Sequence, residues 1–130
     1  MASNIDTLEW LLNYELTQSI RHRRYLSLVM LSSEEGPDKP RMILNKMVRS
    51  SDPFFAVNGS FAVLMGDTNG ESALKAVERY RREINGSVDV RYSVASFPDD
   101  AKETEGLMHT AYRRLETAKG LEADAVVSWG

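Results

Sequence analysis

Apolar residues recur along the chain at two spacings, and the changes between them mark out successive helices and strands. A recurrence every three or four residues, as from Leu8 to Ile20, places apolar side chains on one face of a helix. An alternation of apolar and polar residues, as from Val88 to Val94, is typical of a strand with one buried face. In chain order the pattern predicts a helix ending near Arg24, a strand at 25–31, a loop at 32–40, a short helix from Met42 to about Ser51, strands at 54–57 and 61–65, a helix at 70–84, a strand at 88–97, a helix at 102–119 and a strand at 125–129.

The order of these elements and one turn predict how they assemble. Asn58-Gly59 lies between two short apolar runs, and this dipeptide favours a two-residue hairpin turn with positive φ at both positions. The run at 25–31 is almost continuously apolar, which predicts a central strand covered on both faces. A hairpin within the sheet and helices packed on its faces indicate an α+β fold with five strands. No linker or internal repeat divides the chain, so residues 1–130 are predicted to form a single domain.

Composition and charge exclude several classes of function. Sixteen Lys and Arg against nineteen Asp and Glu give a net charge of −3, which creates no general attraction to nucleic acid or to an anionic membrane. The chain has no cysteine, which excludes disulfides, thiolate-ligated metals and thiol catalysis. No apolar run approaches the length of about 20 residues that crosses a bilayer, and the polar start of the chain has no signal-peptide pattern. We therefore expect a cytoplasmic protein that binds neither nucleic acid nor membrane.

Six segments of the chain, taken in their order and spacing, carry a resemblance to a known family. They are ELTQSIRHRRYLSLVML at 15–31, VRSSD at 48–52, SFAVLMGDT at 60–68, ALKAVERYRREI at 73–84, YSVASFPDDA at 92–101 and the pair Ala118-Lys119. Together they resemble a GGDEF domain over residues 8–127. That family includes the diguanylate cyclases, which condense two GTP into cyclic di-GMP. The resemblance implies the nucleotidyl-cyclase type of fold, a mostly antiparallel sheet covered by helices.

The same resemblance implies that the catalytic site is lost. Where the family has its signature turn Gly-Gly-Asp/Glu-Glu-Phe, this chain has VNGSF at 57–61, and Ser32 stands where the family has a metal-binding aspartate. Carboxylates at these positions hold Mg²⁺ against the triphosphate, and the turn supplies no anionic ligand. The segment that recognises guanine is missing as well, because only 37–41 precedes the next predicted helix. We therefore expect no catalytic residues, no metal and no cofactor, and an inactive domain rather than an enzyme.

One binding feature of the family is retained. An Arg-x-x-Asp motif, Arg49 to Asp52, precedes the hairpin, and Arg79 lies in the helix that follows it. In the family this pattern binds the product at an inhibitory site, so the resemblance implies a cyclic di-GMP site at these three residues. Arginine suits such a ligand because its guanidinium binds phosphate oxygens bidentately and stacks on purines. The alternative is structural, with Arg49 and Asp52 closing a helix before Pro53 and Arg79 on a charged helix face.

Two further features are candidates for contact with a partner protein. Arg21, Arg23 and Arg24 form the most basic part of the chain, where they either bind an acidic partner or offset the dipole of the first helix. Phe54 and Phe55 are predicted to point to opposite faces of a short strand, which leaves one ring exposed to a partner or to a second copy in a homodimer. The sequence thus supports two functions. One is an inactive regulatory or scaffolding module that binds a signalling protein, and the alternative is a receptor for cyclic di-GMP.

Overall fold

The computed structural model describes residues 4–36, 38–49 and 52–130, which form four helices and five strands. The helices are α1 (Asn4–His22), α2 (Asp38–Leu44), α3 (Gly70–Ile84) and α4 (Thr104–Lys119), and the strands are β1 (Leu26–Ser33), β2 (Phe54–Val57), β3 (Ser60–Gly66), β4 (Val90–Phe97) and β5 (Val126–Val127). These strands form one sheet in the order β2-β3-β1-β4-β5, antiparallel except for the parallel pair of β4 and β5. None of the four described helices is both long enough and apolar enough to span a membrane. The predicted α+β fold, with a five-stranded, mostly antiparallel sheet covered by helices, is confirmed.

β1 is the central strand, and helices cover both faces of the sheet around it. Val29 and Leu31 point into a core that the sheet shares with α2 and α3. Leu28 and Met30 point into a second core, which the sheet shares with α1 and α4. All four side chains are fully buried, because alternate residues of a strand point to opposite faces and each face has its own helix layer. The predicted burial of this strand on both faces is confirmed.

β4 is also covered on both faces, whereas its alternating sequence predicted one exposed face. The predicted solvent face lies under α4, and its polar side chains bond to the backbone there. Ser93 Oγ donates to the Ala111 carbonyl at 2.8 Å, and Arg91 Nη1 donates to the carbonyls of Lys119 and Leu121 at 3.0 and 2.7 Å. Because these polar groups have partners, their burial leaves no donor unsatisfied. The prediction of a half-buried strand is therefore wrong.

The second helix lies closer to the N-terminus than its sequence pattern predicted. α2 begins at Asp38 rather than at Met42, because an acidic residue favours the first helical turn and Pro40 is tolerated there. The helix ends at Leu44 and is followed only by a short turn. The predicted continuation to about Ser51 is wrong, and Ser51 itself lies outside the described residues.

Several other element ends also differ from the prediction, each by one or two residues. α1 ends at His22, two residues early, because Arg23 has a φ of 54° and so leaves the helical conformation. β1 continues to Ser33, into the predicted loop. β5 contains only Val126–Val127 of the predicted 125–129, and Trp129 beyond it is 61% exposed.

The hairpin between β2 and β3 turns at Asn58 and Gly59, as predicted. Asn58 has a φ of 48° and Gly59 a φ of 81°, and Val57 pairs directly with Ser60 on either side of them. Positive φ at both central residues matches the right-handed twist of the flanking strands. The predicted two-residue turn is confirmed.

Replacing Gly59 with valine is expected to lower the free energy of unfolding by about 1 kcal/mol or more, since a β-branched residue is strained at positive φ. The cost is one of backbone conformation alone, because a Cβ at Gly59 would meet no atom within 4 Å. Urea denaturation measures the change, and Asn58→Gly, which keeps the favoured backbone, is the matched control with little expected effect. An unchanged unfolding midpoint together with a lost ligand response would instead identify the turn as a functional site.

Candidate ligand-binding site

Arg49, Asp52 and Arg79 line one cavity of about 250 Å³, although they come from separate parts of the chain. Arg49 and Asp52 lie between α2 and β2, and Arg79 lies on α3. α2 and α3 pack over the same face of the sheet, which brings the two segments together. The rest of the lining consists of Met47, Met65, Thr68, Ser72, Lys75, Ala76 and Tyr80. The structure therefore places the three residues of the predicted site around a common space.

Arg49 and Asp52 form an ion pair with two hydrogen bonds. Arg49 Nε donates to Asp52 Oδ2 at 2.9 Å, and Nη2 donates to Oδ1 at 3.2 Å and to Thr68 Oγ1 at 3.3 Å. The Asp52 side chain is 6% exposed and the Arg49 side chain 59%, so the carboxylate is buried while the guanidinium remains accessible. The hydrogen bond to Asp52 raises the pKa of Arg49, against a smaller opposing effect of desolvation. The pair thus has a structural role and still presents a cation to the cavity.

Arg79 supplies a second cation at the rim of the cavity. It is exposed on α3, and none of the ion pairs found among residues 4–36, 38–49 and 52–130 involves it. Lys75, one helical turn earlier, adds a third positive charge, with its Nζ 3.7 Å from Glu71 Oε1. Tyr80 is buried behind this rim, and burial, followed by the nearby Asp52 charge, raises the pKa of its hydroxyl. The cavity therefore combines a cationic rim with a neutral phenol.

Sequence reasoning missed Lys75 and Tyr80 as lining residues. Ser72, Lys75 and Arg79 recur at spacings of three and four residues, which places them on one face of α3. This spacing was available in the sequence and identifies the helix face, but only the packing of α3 against Asp52 shows that the face closes a cavity.

The basic cluster predicted at the end of α1 is exposed. Arg21, Arg23 and Arg24 all reach solvent there. Arg24 also lines a second cavity of about 310 Å³ together with Arg49 and Asp52. The sequence did not indicate this proximity, since the two segments are separated by β1 and α2.

Phe54 and Phe55 point to opposite faces of β2, but the expectation that one ring is exposed is wrong. Phe54 packs in the core beneath α3, with its ring centroid 5.4 Å from that of Phe61. Phe55 packs against the other core, beneath α1. Both faces of β2 are partly covered because the helix layers extend over this edge of the sheet. What β2 offers is its backbone edge, since it pairs only with β3 among the described strands.

The β2–β3 turn, where the resemblance places the signature motif, is exposed and uncharged. Asn58 and Gly59 reach solvent, and Ser60 lies directly opposite Ser32 across β3 and β1. Nearby, Glu35 Oε2 accepts a hydrogen bond from the Asp89 backbone N–H at 3.1 Å. In the part of the chain that the structure describes, no three His, Asp or Glu side chains are placed to share a metal ion.

Comparison with known proteins supports the fold. No protein-family model matches the sequence, and no curated protein is significantly similar to it. The GGDEF domain of YfiN (TpbB) from Pseudomonas aeruginosa matches with a TM-score of 0.78 and 18% identity, over 96% of this chain and 94% of that chain. The active GGEEF domain of a diguanylate cyclase from Vibrio cholerae matches with a TM-score of 0.78 and 15% identity, over 96% of both chains. Diguanylate cyclase SiaD from Pseudomonas aeruginosa, solved in complex with its activator SiaC, matches with a TM-score of 0.76 and 19% identity, over 95% of this chain and 57% of that chain. This chain therefore has the fold of a GGDEF domain.

Proposed function

We propose that the chain is a single-domain, cytoplasmic regulatory module of GGDEF fold that has lost catalysis and acts in cyclic di-GMP signalling by binding a partner protein. The observation that carries the loss of catalysis is the pairing of Ser32 with Ser60 across β1 and β3. By the resemblance, these are positions at which a cyclase holds its metal with carboxylates. Here both are neutral hydroxyls on the same face of the sheet.

The hydroxyls of Ser32 and Ser60 carry no negative charge. They therefore cannot neutralise the metal ion that phosphoryl transfer needs. Mg²⁺ in such sites is held by one or two carboxylates and by the phosphates of the substrate. Ser60 is 7% exposed, so a dication beside it would lose water without gaining a counter-charge. Of the two acids that follow β1, Glu34 is exposed to solvent, and Glu35 lies 3.9 Å from Lys39 Nζ and accepts from the Asp89 backbone N–H.

Purified protein incubated with GTP and Mg²⁺ or Mn²⁺ is expected to form no cyclic di-GMP. Loss of the metal's carboxylates removes about 4 kcal/mol or more of transition-state stabilisation, which lowers turnover by at least about a thousandfold. Chromatography with mass detection measures the product. An active cyclase of this fold is the positive control and a heat-inactivated sample sets the background. Product above that background would overturn the proposal.

The partner-binding part of the proposal rests on exposed charge and on a free strand edge. Arg21, Arg23 and Arg24 present a basic cluster to an acidic surface. The edge of β2, held in place by Phe54 and Phe55, offers backbone donors and acceptors to an added strand. SiaD, which has this fold over part of its length, was solved in complex with a protein partner, its activator SiaC.

A second candidate function, as a receptor for cyclic di-GMP, is favoured by the cavity that Arg49, Asp52 and Arg79 share. Two guanidinium groups match the two phosphates of the ligand. Both Asp52 oxygens already accept from Arg49, but a carboxylate oxygen has a further lone pair for a guanine edge. The two functions are compatible, because a ligand at this cavity can control the binding of a partner elsewhere.

A further inference from the structure

The solvent face of α1 carries an aromatic stripe that no part of the described chain covers. Trp10, Tyr14, Thr17 and Arg21 are all exposed, and at 3.6 residues per turn they fall within an arc of about 60°. Trp10 is 67% and Tyr14 51% exposed, and their rings stack with centroids 5.9 Å apart and planes at 8°. Exposed aromatic surface of this kind marks an interaction site, since stacked rings offer a large contact area at low entropic cost.

The two ends of this stripe carry opposite charge. At the N-terminal end, Glu9 and Trp10 face Glu103 and Glu105 at the start of α4, across a groove of about 550 Å³. At the C-terminal end lies the basic cluster that begins at Arg21. The two ends are about 18 Å apart, at 1.5 Å per helical residue. A surface of this pattern is complementary to itself when turned end to end.

The basic end also contains a place for an aromatic ring. A groove of about 370 Å³ is lined there by Ile20, Arg23, Arg24, Tyr25, Phe97 and Pro98. Ile20 is 57% and Tyr25 46% exposed, so the walls are apolar and open. Two guanidinium groups at such a groove favour an indole ring through cation–π contact.

We propose that a second copy of this chain binds antiparallel along α1 through a two-fold axis between Tyr14 and Thr17. This arrangement sets Tyr14 beside Thr17 of the second copy and brings Trp10 level with Arg21 and the apolar groove of the second copy. The acidic groove then faces the basic end, and each contact occurs twice. Thr17 suits the crossing because it is short and its hydroxyl donates to the Asn13 carbonyl of its own helix at 2.8 Å, which leaves no hydrogen-bond donor unpaired in the contact.

A second copy explains the surface better than a foreign protein does, because both charged ends and the rings between them are used in one contact. The inference rests on the proposed function and specifies it at one point: the acidic surface that the basic cluster binds is that of the second copy, and the edge of β2 stays open to another protein. α1 alone is about 28 Å long and covers less than the roughly 800 Å² per partner of a standard interface, so the association is expected to be micromolar.

Sedimentation equilibrium between about 1 and 500 µM tests the proposal. The average mass is expected to rise from 14.6 kDa toward twice that value, and less steeply at high salt because exposed charges are screened. Trp10→Ala should weaken the dimer at least tenfold. Met42→Ala removes another exposed side chain, 74% accessible and on α2, and should leave it unchanged. A mass of 14.6 kDa throughout, or an undisturbed dimer in Trp10→Ala, would overturn the proposal.

A charge exchange gives the sharper test. The variant with Arg21→Glu and Arg24→Glu, and the variant with Glu9→Arg and Glu105→Arg, should each be monomeric alone, and their mixture should form a heterodimer. Adding Trp10→Ala to both should abolish that heterodimer, which separates the proposed contact from general attraction.

A Lys46→Glu control, on the other side of the sheet, should dimerise like the unaltered chain. No heterodimer, or a monomer that instead binds a short arginine-rich peptide at its acidic groove, would contradict the proposal. Neither result bears on the GTP assay, so the two proposals fail separately.

Discussion

Replacing Arg114 with alanine is expected to lower the free energy of unfolding by about 2 kcal/mol or more, because it removes a buried guanidinium from an ion pair and from a hydrogen bond to a strand carbonyl. The Arg114 side chain is 6% exposed, with Nη2 2.9 Å from Asp100 Oδ1. Its Nη1 donates to the Val94 carbonyl of β4 at 2.7 Å, and Asp100 Oδ2 accepts from the Ser96 N–H at 2.8 Å. The substitution leaves a partly buried carboxylate without its counter-ion and a buried carbonyl without its donor.

Urea denaturation of two variants provides the comparison. Arg113→Ala, at the adjacent but exposed position of α4, should change the free energy of unfolding by no more than about 0.5 kcal/mol. Arg114→Met fills most of the volume and should remain clearly destabilised, which shows that the lost charge contributes beyond the cavity. If Arg114→Ala and Arg113→Ala were equally stable, Arg114 would not anchor α4 to β4.

Arg49→Ala is expected to weaken the binding of cyclic di-GMP by about ten- to a hundredfold, if the chain acts as a receptor. A charge-assisted hydrogen bond contributes about 1.5–3 kcal/mol, and about 1.4 kcal/mol corresponds to a factor of ten. Isothermal titration calorimetry measures the change. An absence of heat for the unaltered chain at high micromolar ligand would eliminate the receptor function.

Arg49 also holds the buried Asp52 carboxylate, so its loss can weaken binding through the fold alone. Arg79→Ala separates the two effects, because Arg79 is exposed and its removal should reduce affinity without changing stability. Arg82→Ala lies on the same helix, is exposed and does not line the cavity, so it should bind like the unaltered chain. Equal affinity in the Arg79 and Arg82 variants would place the ligand elsewhere.

Elements whose signal is local could be predicted from the sequence. The hairpin turn depends on Asn58 and Gly59 alone, and the core of β1 on a short uninterrupted apolar run. α2 was misplaced because Asp38 and Pro40 are typical both of loops and of the first turn of a helix. The covered face of β4 was missed because a buried serine cannot be told from an exposed one until its partner is known.

In the candidate site, too, some features could be predicted from the sequence and others depend on the packing of distant segments. The resemblance identified Arg49, Asp52 and Arg79, and the structure places them around one cavity. The bond from Arg49 to Thr68 and the approach of Arg24 to that pair depend on how distant segments pack, for which the sequence holds no local sign. The burial of both rings of β2 likewise follows from the width of the helix layers rather than from the strand itself.

The central position of β1 leaves both of its edges unpaired during the first part of its synthesis. β1 is translated before both of its neighbours in the sheet, β3 and β4. β4 ends about 60 residues after β1, so at about 5–20 residues per second the strand waits roughly 3–12 s on the ribosome for its second edge to be covered. Its sequence, LSLVMLSS, is uncharged and lacks proline, and such segments aggregate when exposed. We therefore expect the nascent chain to be most prone to aggregation in the interval before β4 has emerged.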